Sequence, residues 1–369
     1  MKKIPLFLPF MSKEAVKNAS AVLQTPWIGE GPKVKEFEKK LVPWVGSNNV
    51  LTVNNATSAI HIALRLANVR GGEVISTPMT CTATNEPIIN EGGHIVWADI
   101  NPNSGSIDPA DIEKKITKKT KAIMIVHWGG NPCDLTKINS IGKKYGIKII
   151  EDAAQALGST YKSKPIGSYS DYVFFSFQAI KIINTVDGGA LITRNKSDWW
   201  KGKELRWYGI DRDKRKVQDT YWDYPIKVAG YKFHMNDVTA AIGLGQLPYL
   251  DGLLKQRREQ AAIYRNAINE SKTLKTVEVL SEAKPNWWMF TVLCGSKESR
   301  LKLWKKLSEN GIDSGEAHIR NDLYPVFKNS KRDKLDGVTK FNNEKLCIPI
   351  GYWVTKSDVR KISDILASF

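Results

Sequence analysis

Between residues 50 and 151, short apolar runs alternate with stretches at helical spacing, and this rhythm constrains the fold more than any other feature of the chain. Val50–Val53, Glu73–Thr77, His94–Asp99, Ala122–His127 and Ile147–Glu151 read as strands. Ala59 to Leu64, Asn85 to Asn90, Asp108 to Lys114 and Leu135 to Lys144 read as the helices between them. Strands that are apolar throughout must be covered on both faces, and helical crossovers supply that cover. The expected fold class is α/β, with a mostly parallel sheet. Ligands of such sheets bind beyond the carboxyl ends of the strands. Residues 55–58, 78–83, 127–130 and 152–155 fall there, and the polar chemistry of the chain collects in them.

Tyr172–Ser176 and Gly189–Thr193 read as two further strands, with Asp187-Gly188-Gly189 turning the chain back and Lys181 between them. Ser12 is placed to cap a first helix, and Pro26–Pro32 is a turn-rich loop. A helix is expected from Asp198 and an irregular loop from Asp211 to Tyr224. Asn236-Asp237 opens a long helix expected to bend near Gly252. From about Ser271 the pattern changes: a strand over Trp287–Leu293, a helix over Lys297–Asn310, short strands near His318 and over Leu346–Ile350, and a last helix capped by Ser357. A chain of 369 residues is long for one hydrophobic core. Two lobes are expected, a large one over 1–250 and a smaller α+β one over 251–369.

Composition narrows the function classes. With 55 basic and 38 acidic residues the net charge is +17, which attracts polyanions and can steer an anionic substrate. A basic polyanion-binding protein is thus the rival from another class. The lysines, however, form short clusters such as Lys114–Lys121 and Lys328–Lys334, without a zinc finger or an RNP-like signature. No apolar run reaches the length of a membrane span. The lysine-led start is broken by Pro5 and Pro9 and lacks a small-residue cleavage site, so a cytoplasmic chain is expected. Cys81, Cys133, Cys294 and Cys347 include no CxxC pair and read as reduced thiols rather than a metal or disulfide framework.

Two stretches carry the chemistry: Glu151-Asp152-Ala153-Ala154-Gln155, and Ser176-Phe177 followed by Lys181. Pyridoxal phosphate needs an amine for its aldehyde, a carboxylate for its ring nitrogen, a donor for its phenolic oxygen and an anion site for its phosphate. Lys181 in apolar surroundings has the lowered pKa such an amine needs. Asp152 offers the carboxylate, Gln155 the donor. The turn at Asn55–Ser58 between a strand and a helix offers the anion site. Each has a plainer reading alone: Lys181 as a strand-edge lysine, Asp152 as a helix cap, Thr57 or Ser58 as a cap. Their joint occurrence in this order favours the cofactor.

Glu151-Asp152-Ala153-Ala154-Gln155-Ala156-Leu157-Gly158, Ser176-Phe177, Lys181 and Gly188-Gly189 together resemble the signature of the DegT/DnrJ/EryC1/StrS sugar aminotransferases. Trp27–Pro32 with Phe37-Glu38, Asn55–Ile60, His127–Pro132 and Gly230–Phe233 resemble the other motifs of that family, so the likeness covers nearly the whole chain. The resemblance implies a fold-type-I enzyme dependent on pyridoxal 5′-phosphate, with Lys181 as the Schiff-base lysine and Asp152 on the ring nitrogen. It implies Gln155 at the phenolic oxygen and Thr57, Ser58 and Ser176 at the phosphate. It further implies a homodimer with sites at the interface, where Lys232 or His234 reaches the neighbour's cofactor or substrate. The loops bearing Trp27, Gly29, His318 and Tyr324 are expected to meet the substrate, a nucleotide-linked keto sugar aminated at the expense of L-glutamate. Two positions depart from the pattern: Cys81 stands where an aromatic residue commonly stacks on the ring, and Ala56 replaces a usual glycine. A cyclitol aminotransferase remains an alternative within the family. A sugar dehydratase carries histidine at the Schiff-base position, which Lys181 argues against.

Overall fold

The computed structural model describes residues 3–212, 216–217, 222–223, 226–330 and 333–369. The chain forms β1 (Val50–Val53), β2 (Glu73–Ser76), β3 (His94–Trp97), β4 (Thr120–Val126) and β5 (Lys148–Asp152). The short β6 (Thr160–Tyr161) and β7 (Lys164–Pro165) follow, then β8 (Tyr172–Ser176) and β9 (Gly189–Thr193). Seven of these make one sheet in the order β1-β9-β8-β5-β4-β2-β3. β3, β2, β4, β5 and β8 pair in parallel, while β9 runs antiparallel to both β8 and β1. Six strands therefore end at the same edge. β1, β2, β8 and β9 are buried at every residue, as their unbroken apolar runs require.

The helices are α1 (Lys13–Leu23), α2 (Pro32–Val45), α3 (Ala56–Leu66), α4 (Thr82–Asn90), α5 (Pro109–Lys115), α6 (Leu135–Tyr145) and α7 (Lys196–Arg206). Their starts follow from local chemistry. Asp108 caps α5 by accepting the Ala110 amide, with Pro109 at the first helical position where no N–H is needed. Asp134 caps α6, and Gly146 ends it at φ 67, a left-handed turn that suits glycine. Ser12 caps α1 as the sequence suggests.

Several boundaries differ from expectation. α3 is capped by Asn55, whose side chain accepts the Ser58 amide at 2.9 Å, and not by Thr57 or Ser58. Asn195 starts α7 ahead of Asp198, which lies in its first turn. The long helix splits into α8 (Asp237–Gln246) and α9 (Leu250–Glu270) at a single turn over Leu247–Tyr249, not at Gly252. Pro248 in that turn lacks the amide a continuous helix would use. The Asp211–Tyr224 loop lies largely outside the described residues, which show there a hairpin of β10 (Lys216–Val217) and β11 (Trp222–Asp223).

The C-terminal part holds β12 (Lys275–Thr276), β13 (Ala283–Lys284), β14 (Phe290–Leu293), α10 (Lys297–Glu309), α11 (Asp336–Glu344), β15 (Lys345–Ile348) and α12 (Lys356–Ala367). β14 lies between β12 and β15, antiparallel to both. It is shorter than its sequence suggests because Trp287 turns left-handed at φ 53. His318 lies in no strand; the neighbouring contact is a bridge between Gly315 and Cys347. α12 is capped by Thr355 in a reciprocal pair with Asp358, leaving Ser357 inside the helix.

An N-terminal strap ties the ends together. Ile4 exchanges backbone hydrogen bonds with Gly311 and Asp313, and Ser12 Oγ donates to the Gly245 carbonyl on α8.

Candidate active site

The register of the sheet places the candidate residues on one edge. Val126, Asp152 and Phe174 lie side by side on β4, β5 and β8, and Ser176, Gly189 and Val53 on β8, β9 and β1. Asp152, the last residue of β5, is buried. One carboxylate oxygen accepts the Thr84 hydroxyl at 2.6 Å and the other the Ala154 amide at 3.0 Å. Burial pushes its pKa up, against those hydrogen bonds and the charge of Lys181. A buried carboxylate held up in this way is stabilised by any cation brought against it. Behind it Glu151 accepts from His127 Nε2 at 2.9 Å, while His127 Nδ1 accepts the Cys133 amide and so leaves the proton on Nε2.

Lys181 sits in the turn between β8 and β9, where Phe177 pairs with Gly188 and Thr185 through the backbone. Its Nζ lies 4.0 Å from the centre of the Trp288 ring. Burial pulls its pKa down to about 8, with Asp152 and Cys81 opposing. Among the described residues it has no ion pair, so a substantial neutral fraction is present near pH 8. Such an amine is a nucleophile.

Gln155 lies on the loop that follows β5, three residues after Asp152. Its Oε1 accepts the Gly129 amide at 2.7 Å and its Nε2 lies 3.3 Å from His318 Nε2. Burial pulls the His318 pKa down to about 4, so the ring is neutral at pH 7, and the Gln155 amide N–H facing Nε2 makes that nitrogen the acceptor. His318 therefore joins the site from the C-terminal part of the chain.

At the start of α3 the first amides, those of Ala56 and Thr57, have no intrahelical partner by geometry. Ser58 Oγ donates to Asn54 at 2.6 Å, and Ser176 Oγ accepts the Gln178 amide. A Cβ at Gly189 would stand 2.7 Å from the Ala56 nitrogen, so the close approach of β9 to this loop requires glycine. Ala56 itself has no positive φ, which explains why alanine serves where glycine is usual. Helix-opening amides beside buried hydroxyls fit a phosphate. Cys81 is half-buried at the cap of α4 without a capping bond, on the Lys181 side of the site.

Other expected residues do not bond to this group through their side chains, although the backbone of His234 bridges Val53 at the edge of the sheet. Trp27 is 63% exposed. The Gly29 carbonyl accepts the Asp237 amide, which ties its loop to α8. Lys232 Nζ rests 3.8 Å above the Trp207 ring, and the His234 ring lies 3.9 Å from that ring. Tyr324 is exposed between two single helical turns. None of Trp27, Lys232, His234 and Tyr324 is hydrogen-bonded to Asp152, Gln155 or Lys181. Thr84, Trp288 and Asn286 belong to the group and were not among the expected residues. Asn286 donates to the carbonyls of Gln155 and Leu157 and accepts the Trp288 amide. Thr80, just before α4, hydrogen-bonds the Thr84 hydroxyl at 2.8 Å. Nothing local marks Asn286 or Trp288.

Left-handed backbone at Val186, Trp287 and Ala317 flanks Lys181, Trp288 and His318. Non-glycine residues held so cost about 1–3 kcal/mol each and gather at working sites.

Residues 9–367 match the DegT/DnrJ/EryC1/StrS aminotransferase family. The chain is 31% identical to UDP-4-amino-4,6-dideoxy-N-acetyl-beta-L-altrosamine transaminase of Campylobacter jejuni, covering 92% of this chain and 90% of that protein. It is 33% identical to GDP-perosamine synthase of Escherichia coli O157:H7, covering 88% and 86%. The crystal structure of sugar aminotransferase CalS13 from Micromonospora echinospora superposes with a TM-score of 0.93 at 32% identity, covering 99% of each chain. The chain belongs to the DegT/DnrJ/EryC1/StrS aminotransferase family, as an enzyme dependent on pyridoxal 5′-phosphate.

Proposed function

Starting from that membership, we propose that this enzyme transfers the amino group of L-glutamate to the keto group of a nucleotide-linked deoxysugar in amino-sugar synthesis. The observation that carries the reading is the buried pair of Asp152 and Lys181, which feel each other's charge but, among the described residues, make no ion pair with each other or with any other group. The cofactor, when bound, supplies an aldehyde that carries the amino group and a ring that accepts electrons. Asp152 would hold a proton on the ring nitrogen, which answers its own need for a positive neighbour. Gln155 would donate to the phenolic oxygen, and Thr57, Ser58, Ser176 and the opening amides of α3 would hold the phosphate. Lys181 Nζ takes a proton from the donor's α-carbon and delivers one to the sugar's carbonyl carbon, as base and then acid. The two relatives named above carry different nucleotides in their names, so the family leaves the nucleotide open. The surplus of basic residues suits a substrate with two phosphates.

The polypeptide divides, on this reading, into a cofactor lobe over 1–250 and a smaller lobe over 251–369, and works as a homodimer in the cytoplasm. Lys232 and His234 would serve the neighbour's site. Trp27, Gly29, His318 and Tyr324 would meet the sugar or its nucleotide. Cys81 leaves the open ring face without a stacking partner.

Two measurements test the assignment. Purified protein should show the visible absorbance of lysine-bound cofactor, and Lys181→Ala should lose it together with all turnover. A variant that kept the same band would overturn the role of Lys181. A panel of nucleotide keto sugars offered with glutamate should give ping-pong kinetics with at least one member. Turnover of a keto-inositol in their place would favour the cyclitol reading.

A further inference from the structure

We propose that Trp288 is a positioning residue for Lys181: its indole N–H fixes the backbone beside the lysine, and its ring face is the seat of the amine whenever the cofactor does not hold it. The proposal rests on Lys181 being the cofactor lysine.

Trp288 is fixed at three atoms. Its amide donates to Asn286 Oδ1 at 2.9 Å, and its carbonyl accepts from Arg257 Nη1 at 2.9 Å. Its indole Nε1 donates to the carbonyl of Ile180, the residue before Lys181, at 3.0 Å. Phe7 of the N-terminal strap stacks on the ring, with centroids 4.9 Å apart and planes 21° from parallel. The ring is 2% exposed and cannot swing. A buried indole N–H must find an acceptor, and here the acceptor is the carbonyl next to the lysine, so the same ring that faces the amine also holds its backbone.

The consequence is electrostatic. A cation over an indole face is attracted by the ring quadrupole, more strongly where water is excluded. Burial disfavours the ammonium form of Lys181, and the ring face opposes that effect without giving the amine a hydrogen bond it would have to break. A carboxylate in the same place would hold the amine far more tightly. The charged and titratable groups facing Lys181 are Asp152 at the end of β5, Cys81 before α4 and His318 from the C-terminal part. None of them covers the amine as Trp288 does.

The test uses the full chain loaded with pyridoxamine phosphate, which leaves the lysine free. Acylation of Lys181 is followed by mass spectrometry as pH is raised, in the parent, Trp288→Phe and Trp288→Leu. The parent should show an inflection near 8. Removing the face in Trp288→Leu should lower it by about half to one pH unit, the size of a desolvated cation–ring attraction. Trp288→Phe keeps a face and should hold the inflection within roughly a third of that shift. An inflection in Trp288→Leu that is unchanged or higher overturns the proposal. Should Trp288→Leu not fold, protein grown on fluorinated tryptophans of near-native volume decides. A stepwise fall with fluorine number supports the seat, and a flat response overturns it. Persistence of the visible cofactor band in Lys181→Ala would instead overturn the lysine's own assignment, so the two failures are separate.

Discussion

At the scale of single residues, this protein carries buried charge that its neighbours relieve only in part. Lys345 is the instructive contrast to Lys181. It is fully buried in β15, its Nζ donates to Asn342 Oδ1 at 2.9 Å and lies 3.7 Å from a Glu316 oxygen, yet burial outweighs that carboxylate and pulls its pKa down to about 8. In the unfolded chain a lysine titrates near 10.4, so between about 8 and 10.4 the unfolded state binds more protons and stability rises with pH. Below pH 8 the full penalty of a buried ammonium is present. Lys345→Met should therefore be more stable than the parent at pH 7, with the gap closing towards pH 10. Urea midpoints measured across that range check it, and a gap that widened with pH would contradict the sign. Asp152 and Lys181 stood out as candidates by their order in the chain and by the family resemblance. Thr84, Asn286 and Trp288 were not, because their partners lie far along the chain and no local pattern tells where a side chain points.

Among the elements, α2 and α8 share one acid. Asp237 opens α8, and its carboxylate accepts the amides of Gly31, Lys33 and Val34 at the start of α2 at 2.8, 3.0 and 3.0 Å. Gly31 must lack a Cβ there, since one would stand 2.7 Å from Asp237 Oδ2. The Trp27–Gly29 loop thus hangs from α8. Asp237→Ala strands three amides and should cost roughly 3 kcal/mol, by the worth of hydrogen bonds to a buried charge. Denaturant unfolding measures the loss, and a change under about 1 kcal/mol would show that water replaces the carboxylate. Strand and helix existence was readable because apolar runs and helical spacing are local signals. Element ends were less so, since Asn55, Thr57 and Ser58 are all competent caps and tertiary fit chose Asn55. The bend at Leu247–Tyr249 follows Pro248, a stronger breaker than the nearby Gly252.

At the level of the whole molecule, large apolar side chains remain exposed, among them Trp27, Ile28, Tyr208, Ile226, Leu323, Tyr324 and Val326. Single exposed apolar residues are ordinary, but this many beside expected site loops suits an interface between two copies. If Lys232 serves the neighbour's site, Lys181→Ala and Lys232→Ala chains should complement each other. A mixed dimer then contains one site with both native residues, and random mixing should restore roughly a quarter of parental activity in an isologous dimer. Refolding equal amounts together and assaying the mixture checks it. Activity no higher than the sum of the separate variants would place Lys232 outside the shared site. Among the described residues no helix is long and apolar enough to cross a membrane.

The sequence by itself determined the α/β class, and it singled out the edge of the sheet and the residues proposed here as the amine, the carboxylate and the anion loop. These follow from periodicity and from residue types that only certain chemistry employs together. Tertiary structure decided which side chains stand around them: the Thr84 hydroxyl on Asp152, His318 on Gln155 and the Trp288 face under Lys181. Trp288 lies 107 residues beyond Lys181 in the sequence, by subtraction of their positions. Contacts over such separations depend on how β14 and α9 pack against the sheet, which is a property of the whole chain and not of any window within it.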